Sequence, residues 1–165
     1  MTKEDIIWFA GLFDGEGCIS VDRYKPNPKA GERSTKYRLK VRMNMCHFPT
    51  MERVHSLFGG SMLYRKGYSS RNQADQGCWS VTGAKCLSVL QIIRPYLFTK
   101  AFDADIGMEF CDLLVSQKLH KTSKLSDKDL AERDALYVKL REAKQSYKKY
   151  ADNRPLKPLK RMQHV

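Results

Sequence analysis

The chain of 165 residues contains no apolar run approaching the ~18 residues that a membrane-spanning helix needs. It also lacks a basic N-terminal region leading into an apolar stretch, the mark of a secretory signal. The expectation is a soluble, intracellular protein, whether of organellar, bacterial or phage origin. Its cysteines (Cys18, Cys46, Cys78, Cys86 and Cys111) are odd in number and form no C-x-x-C pair. A disulfide frame and a zinc site are thereby disfavoured, and reduced thiols acting as small apolar residues remain. No internal repeat is present, which argues against a tandem architecture.

What the chain has in excess is positive charge. The formal net charge is +12 and the sequence pI about 9.6, which suits a polyanionic partner. The charge is unevenly spread. Residues 17–74 carry twelve Lys and Arg against three acids, and residues 116–165 fourteen against six. Residues 1–16, by contrast, hold four acids and one Lys. An acidic spot next to a basic surface suits a metal-dependent nuclease: cations grip phosphates and carboxylates hold a metal ion.

The stretch Phe9-Ala10-Gly11-Leu12-Phe13-Asp14-Gly15-Glu16-Gly17 closes a helix-period segment that a Thr2/Asp5 capping box opens. Gly11 and Gly15 lie four apart, on one helix face, where each costs roughly 1 kcal/mol against Ala. Such a face suits close approach by another backbone. Asp14 and Glu16 stand at the helix's negative end, which suits a neighbouring cation.

Downstream, Cys18 to Lys25 alternates as a strand, and Pro26 to Thr35 reads as a turn. Tyr37 to Met45 alternates most clearly, with Leu39, Val41, Met43 and Met45 opposite Arg38, Lys40, Arg42 and Asn44. Its three cations, about 7 Å apart along one face, read as DNA contacts, joined by Asp22 and Tyr24 from the first strand. A helix from Pro49 to Phe58 precedes a second hairpin, Met62 to Tyr68 and Cys78 to Thr82. Tyr64, Lys66 and Tyr68 share one face of that hairpin and, with Arg71 in its tip, are further candidate DNA contacts. A helix from Ala84 to Arg94 ends at Pro95. Another follows from Ala101 to Val115, on which Asp103 and Asp105 are expected to be exposed. Ser126 and Asp129 cap a long basic helix whose Lys139, Lys144, Lys148 and Lys149 are expected to face solvent.

The signature at Phe9–Gly17 resembles that of the LAGLIDADG homing endonucleases, with Phe, Phe, Gly and Glu replacing Leu, Ile, Ala and Asp. The order helix, hairpin, helix, hairpin, helix and the run Pro95-Tyr96-Leu97-x-x-Lys100 strengthen the likeness, which covers residues 4–115. The resemblance implies an α+β αββαββα fold, a saddle-shaped antiparallel sheet with helices on one face. Residues 1–118 would form the endonuclease core, and residues 119–165 a basic C-terminal helix and tail packed on or flanking it.

It further implies site-specific double-strand DNA cleavage at a long pseudo-palindromic site, with Mg²⁺ or Mn²⁺, and a role in intron or intein mobility. By the same resemblance Glu16 and the Gly15 carbonyl would hold the metal, and Lys100 would stabilise charge or organise water. Asn44 is a further catalytic candidate, while Asp14 orients the helix junction. A single signature implies a homodimer packed through Gly11 and Gly15. The alternative is a non-cleaving protein of the same fold, an RNA-splicing maturase or a regulator. A basic structural RNA-binding protein with a chance signature would instead bind without sequence preference.

Overall fold

The computed structural model describes residues 1–27, 29, 35–67, 73–117 and 125–152, with backbone only for 148–152. Helix α1 (Lys3–Glu16) begins at the expected capping box. The Asp5 N–H donates to Thr2 Oγ1 at 3.2 Å, and the Thr2 N–H to Asp5 Oδ2 at 2.9 Å. Its apolar side buries Phe9, Ala10 and Phe13. Gly17 ends it by turning to extended backbone, and a Cβ there would lie 2.3 Å from the Phe13 ring, so the position requires glycine. The chain then enters strand β1 (Gly17–Tyr24), which pairs antiparallel with β2 (Lys36–Met45).

Helix α2 (Phe48–Phe58) carries Pro49 in its first turn and stops at Gly59 and Gly60, both at positive φ. Strands β3 (Ser61–Arg65) and β4 (Gln76–Thr82) complete a four-stranded antiparallel sheet in the order β1-β2-β4-β3. A short 3-10 turn at Gly83–Lys85 leads into α3 (Cys86–Ile93), and Pro95 sits in a second such turn. Helices α4 (Ala101–Gln117) and α5 (Asp127–Asp152) follow. The Ser126/Asp129 cap of α5 forms as expected, with the Asp129 N–H on Ser126 Oγ at 3.1 Å.

Alternation along the strands decides where the core lies. Ile19, Leu39, Val41, Met43, Trp79 and Val81 point to the helix side and are buried there with Phe9, Phe13, Met51, Leu90 and Phe110. Trp79 anchors this layer. Its ring meets Phe9 edge-on at 5.6 Å, and its Nε1–H donates to the Gly59 carbonyl at 2.6 Å. Burial pushes the Cys86 and Cys111 thiols up to about 12 and about 11, so both act as inert apolar groups.

The structure corrects three expectations. Strand β3 ends at Arg65 instead of Tyr68. Asp103 is not an exposed helix residue: it is 3% exposed, on the inner side of α4. Lys144 is not free in solvent either, since its ammonium donates to the Ile19 carbonyl and lies 3.4 Å from Cys18 Sγ.

Candidate active site and nucleic-acid interface

The last carbonyls of a helix have no intrahelical partner. At the end of α1 the Phe13 carbonyl accepts the Gly17 N–H, and the Asp14 carbonyl accepts the Lys100 ammonium. A cation is favoured there by the negative end of the helix dipole. The Asp14 carboxylate meets N–H groups of the turn that precedes α4. It accepts the N–H groups of Phe98 at 2.7 Å, Thr99 at 3.1 Å and Lys100 at 2.9 Å. Asp14 thus ties the 98–100 turn to the end of α1 and thereby delivers Lys100.

Gly15 and Glu16 are left exposed at the tip. The β1–β2 pairing ends at Gly17 with Met43, directly after Glu16 at the end of α1, and Asn44 is the next residue of β2. A carboxylate with main-chain carbonyl oxygens suits a hard divalent ion that completes its shell with water and substrate phosphate. Among the described residues no three His, Cys, Asp or Glu side chains gather into a self-sufficient metal cage.

The outer face of the sheet, away from the helices, carries Asp22, Tyr24, Arg38, Lys40, Arg42 and Asn44 side by side. Arg38 lies over the Tyr24 ring at 5.6 Å, and the Tyr24 hydroxyl donates to Asp22 at 3.2 Å, so these three form a linked group. On the second hairpin Tyr64 does not share the outer face with those residues. It pairs with Gly77, on the helix side, where its hydroxyl donates to Glu52 and its ring packs on Phe48 at 5.4 Å. Lys66 lies just beyond β3 and is exposed, while Tyr68 and Arg71 lie outside the described residues.

The register instead puts Arg65 and Gln76 opposite each other on the outer face, two positions the sequence reading missed. Trp79 held the signal. With Trp79 inward, its partner Met62 is inward too, so Leu63 and Arg65 must face out.

Gly11 and Gly15 line an exposed face of α1 on which an added Cβ would meet nothing within 4 Å. Ile7, one turn earlier on that face, is 46% exposed, and Phe98 beside Asp14 is 92% exposed. A family model described as LAGLIDADG endonuclease matches residues 9–107, more than half of the chain. The chain belongs to the LAGLIDADG endonuclease family.

Solved LAGLIDADG structures share its fold. The homing endonuclease I-CvuI in complex with its target is 19% identical, over 86% of this chain and 82% of that one, with a TM-score of 0.65. The archaeal intron-encoded homing endonuclease I-Vdi141I, complexed with DNA, is 15% identical over 85% and 84%, with a TM-score of 0.66. The homing endonuclease I-TnaI is 17% identical over 88% and 97%, with a TM-score of 0.59. A search of curated proteins finds no match. Within the LAGLIDADG match lie the signature Phe9–Gly17, Asn44, Lys100 and Asp103, whereas α5 lies beyond it.

Proposed function

We propose that this LAGLIDADG protein is a homodimeric, divalent-metal-dependent endonuclease that cuts double-stranded DNA at a specific, roughly palindromic site. The observation that carries this reading is the α1 tip. There an exposed Glu16 ends the helix whose Asp14 holds Lys100, directly before the first strand of the basic sheet. Binding alone requires neither group in that place. Glu16 and the Gly15 carbonyl would hold Mg²⁺ or Mn²⁺, which when bound neutralises charge on the scissile phosphate and activates water.

The protein's own groups do the remainder. The Lys100 ammonium, fixed against the end of α1, offsets charge developing on the phosphate or orders the attacking water. Asn44 adds a neutral hydrogen-bonding group on the same border. Arg38, Lys40 and Arg42, with Asp22 and Tyr24, reach base edges and phosphates from the outer face, joined by Arg65 and Lys66.

The empty Gly11–Gly15 face suits a second copy packed backbone to backbone, and Ile7 and Phe98 would extend that contact. Two copies then bring two Glu16 tips to one duplex, one for each strand.

The test is a plasmid library of randomised sites incubated with Mg²⁺, sequencing linearised ends, with Glu16→Gln in parallel. A discrete near-palindromic cut that disappears in the variant is the expected result. Selective binding without cutting would replace this reading with a non-cleaving maturase or regulator. Salt-sensitive binding without selectivity would leave a general nucleic-acid binder.

A further inference from the structure

Two buried polar atoms among the described residues have no hydrogen-bond partner, Ser20 Oγ and Asp103 Oδ1. Asp103 lines a cavity of about 280 Å³ behind the α1 tip, together with Gly17, Cys18, Lys100 and, from α5, Lys144 and Tyr147. A carboxylate oxygen placed so deep without a hydrogen bond costs stability and calls for a reason.

The charges around it narrow that reason. Burial pushes the Asp103 carboxyl up, while Lys144 and then Lys100 pull it back. Tyr147 is pushed up first by its own burial and then by Asp103. Lys100 and Lys144 line the same cavity as the carboxylate, so their charges repel a metal ion there, and the carboxylate in turn repels a phosphate. What the arrangement can hold is the ammonium groups themselves. Lys100 and Asp103 are one turn apart at the start of α4, and Lys144 arrives from a helix 41 residues further on, fixed by the Ile19 carbonyl.

We propose that Asp103 and Lys144 are positioning residues for Lys100, and that α5 is thereby a working part of the active centre. Asp103 draws the two ammonium groups toward one point. Lys144, anchored to the first residues of β1, holds that point at a fixed place relative to Glu16. Lys100 then meets the phosphate already oriented, which limits the reorganisation needed in the cleavage step. The inference rests on the reading of Lys100 as a catalytic group.

The experiment compares the full chain with Asp103→Asn, Lys144→Met and Lys144→Arg on the selected site. It reads single-turnover cleavage in Mg²⁺, DNA affinity in Ca²⁺, and Tm. Asp103→Asn should slow cleavage by roughly tenfold or more with affinity held within about twofold. Its Tm at neutral pH should stay level or rise, an outcome that loss of a structural contact would not give. Lys144→Met should slow cleavage likewise, and Lys144→Arg should restore most of the rate.

Because Lys144→Met also removes a backbone anchor and can disturb folding, Asp103→Asn decides. Cleavage by Asp103→Asn at the full rate, or a loss of rate matched by loss of affinity or Tm, overturns the inference and leaves the endonuclease reading intact. An unaltered chain that cuts nothing overturns both.

Discussion

The junction of α1 with α4 and the outer face of the sheet carry the candidate function in opposite ways. At the junction a few groups are each over-determined. Asp14 alone accepts three N–H groups, and Lys100 has both its N–H and its ammonium on Asp14. Across the face, Arg38, Lys40 and Arg42 stand in a row, with Arg38 half engaged by Tyr24. Chemistry demands fixed atoms, so one change at the junction should act nearly all-or-none. Phosphate binding adds up over many exposed charges, so each change on the face should act by degrees.

The comparison breaks most sharply at the helix face beside the junction. Gly11→Leu improves helix propensity by on the order of 0.8 kcal/mol and meets nothing in its own chain. The chain should stay folded, sediment as a monomer and cut at least about a hundredfold more slowly, the size set by losing a completed site. A dimer that still cuts would remove Gly11 from the contact.

Next comes Asp14→Ala, which removes the acceptor that holds three N–H groups of the 98–100 turn. A loss of about 2 kcal/mol, seen as a fall in Tm of roughly 4–8 °C, is expected along with slower cleavage. An unchanged Tm would mean that the 98–100 turn is held by other groups.

The buried acid sharpens the contrast through pH. Because the Asp103 carboxyl is raised in the folded state, it favours folding while protonated. That contribution is full below its unfolded value, near about 3.9, and is lost as pH rises through the folded value. Relative to the parent, Asp103→Asn should therefore gain Tm as pH climbs from about 4 toward neutral. A difference in Tm that stays flat with pH would mean the carboxyl is not perturbed.

The smallest effects belong to the face. Arg38→Ala or Arg65→Ala should weaken DNA binding several-fold and lower the salt slope by about 1. Tyr64→Phe, which loses only a bond to exposed Glu52 on the helix side, should leave affinity unchanged. If Tyr64→Phe weakened binding as Arg65→Ala does, the face assignment of β3 would be reversed.

How much was legible follows from how far each signal reaches along the chain. Both capping boxes and the polar face of β2 were readable because their partners sit within a few residues. Tyr64 was misplaced because β3 is five residues long and mixes apolar and polar groups on both faces, so alternation alone does not fix its register. Its pairing with β4 does. Asp103 and Lys144 were misjudged because a charge on a helix is expected in water unless something distant covers it. Here α5 supplies that cover, packing Leu136 and Leu140 into the core.

The second anchor of α5 was equally out of reach of local reading. The Tyr37 hydroxyl donates to Asp134 at 2.7 Å, Arg23 pairs with Asp134 at 3.4 Å, and Tyr37 is pushed up to about 12, chiefly by burial. These residues tie the loop end of the first hairpin to α5 across 97 positions.

The sequence by itself determined the signature helix, the order of elements and the basic face, because periodicity, capping and charge are properties of neighbouring residues. Only the tertiary structure decided that Asp14 would hold Lys100 across 86 positions and that Lys144 would reach β1 across 125. Those contacts exist because burying the shared apolar core closes the chain around them, and no local pattern encodes which distant charge will then be left facing which.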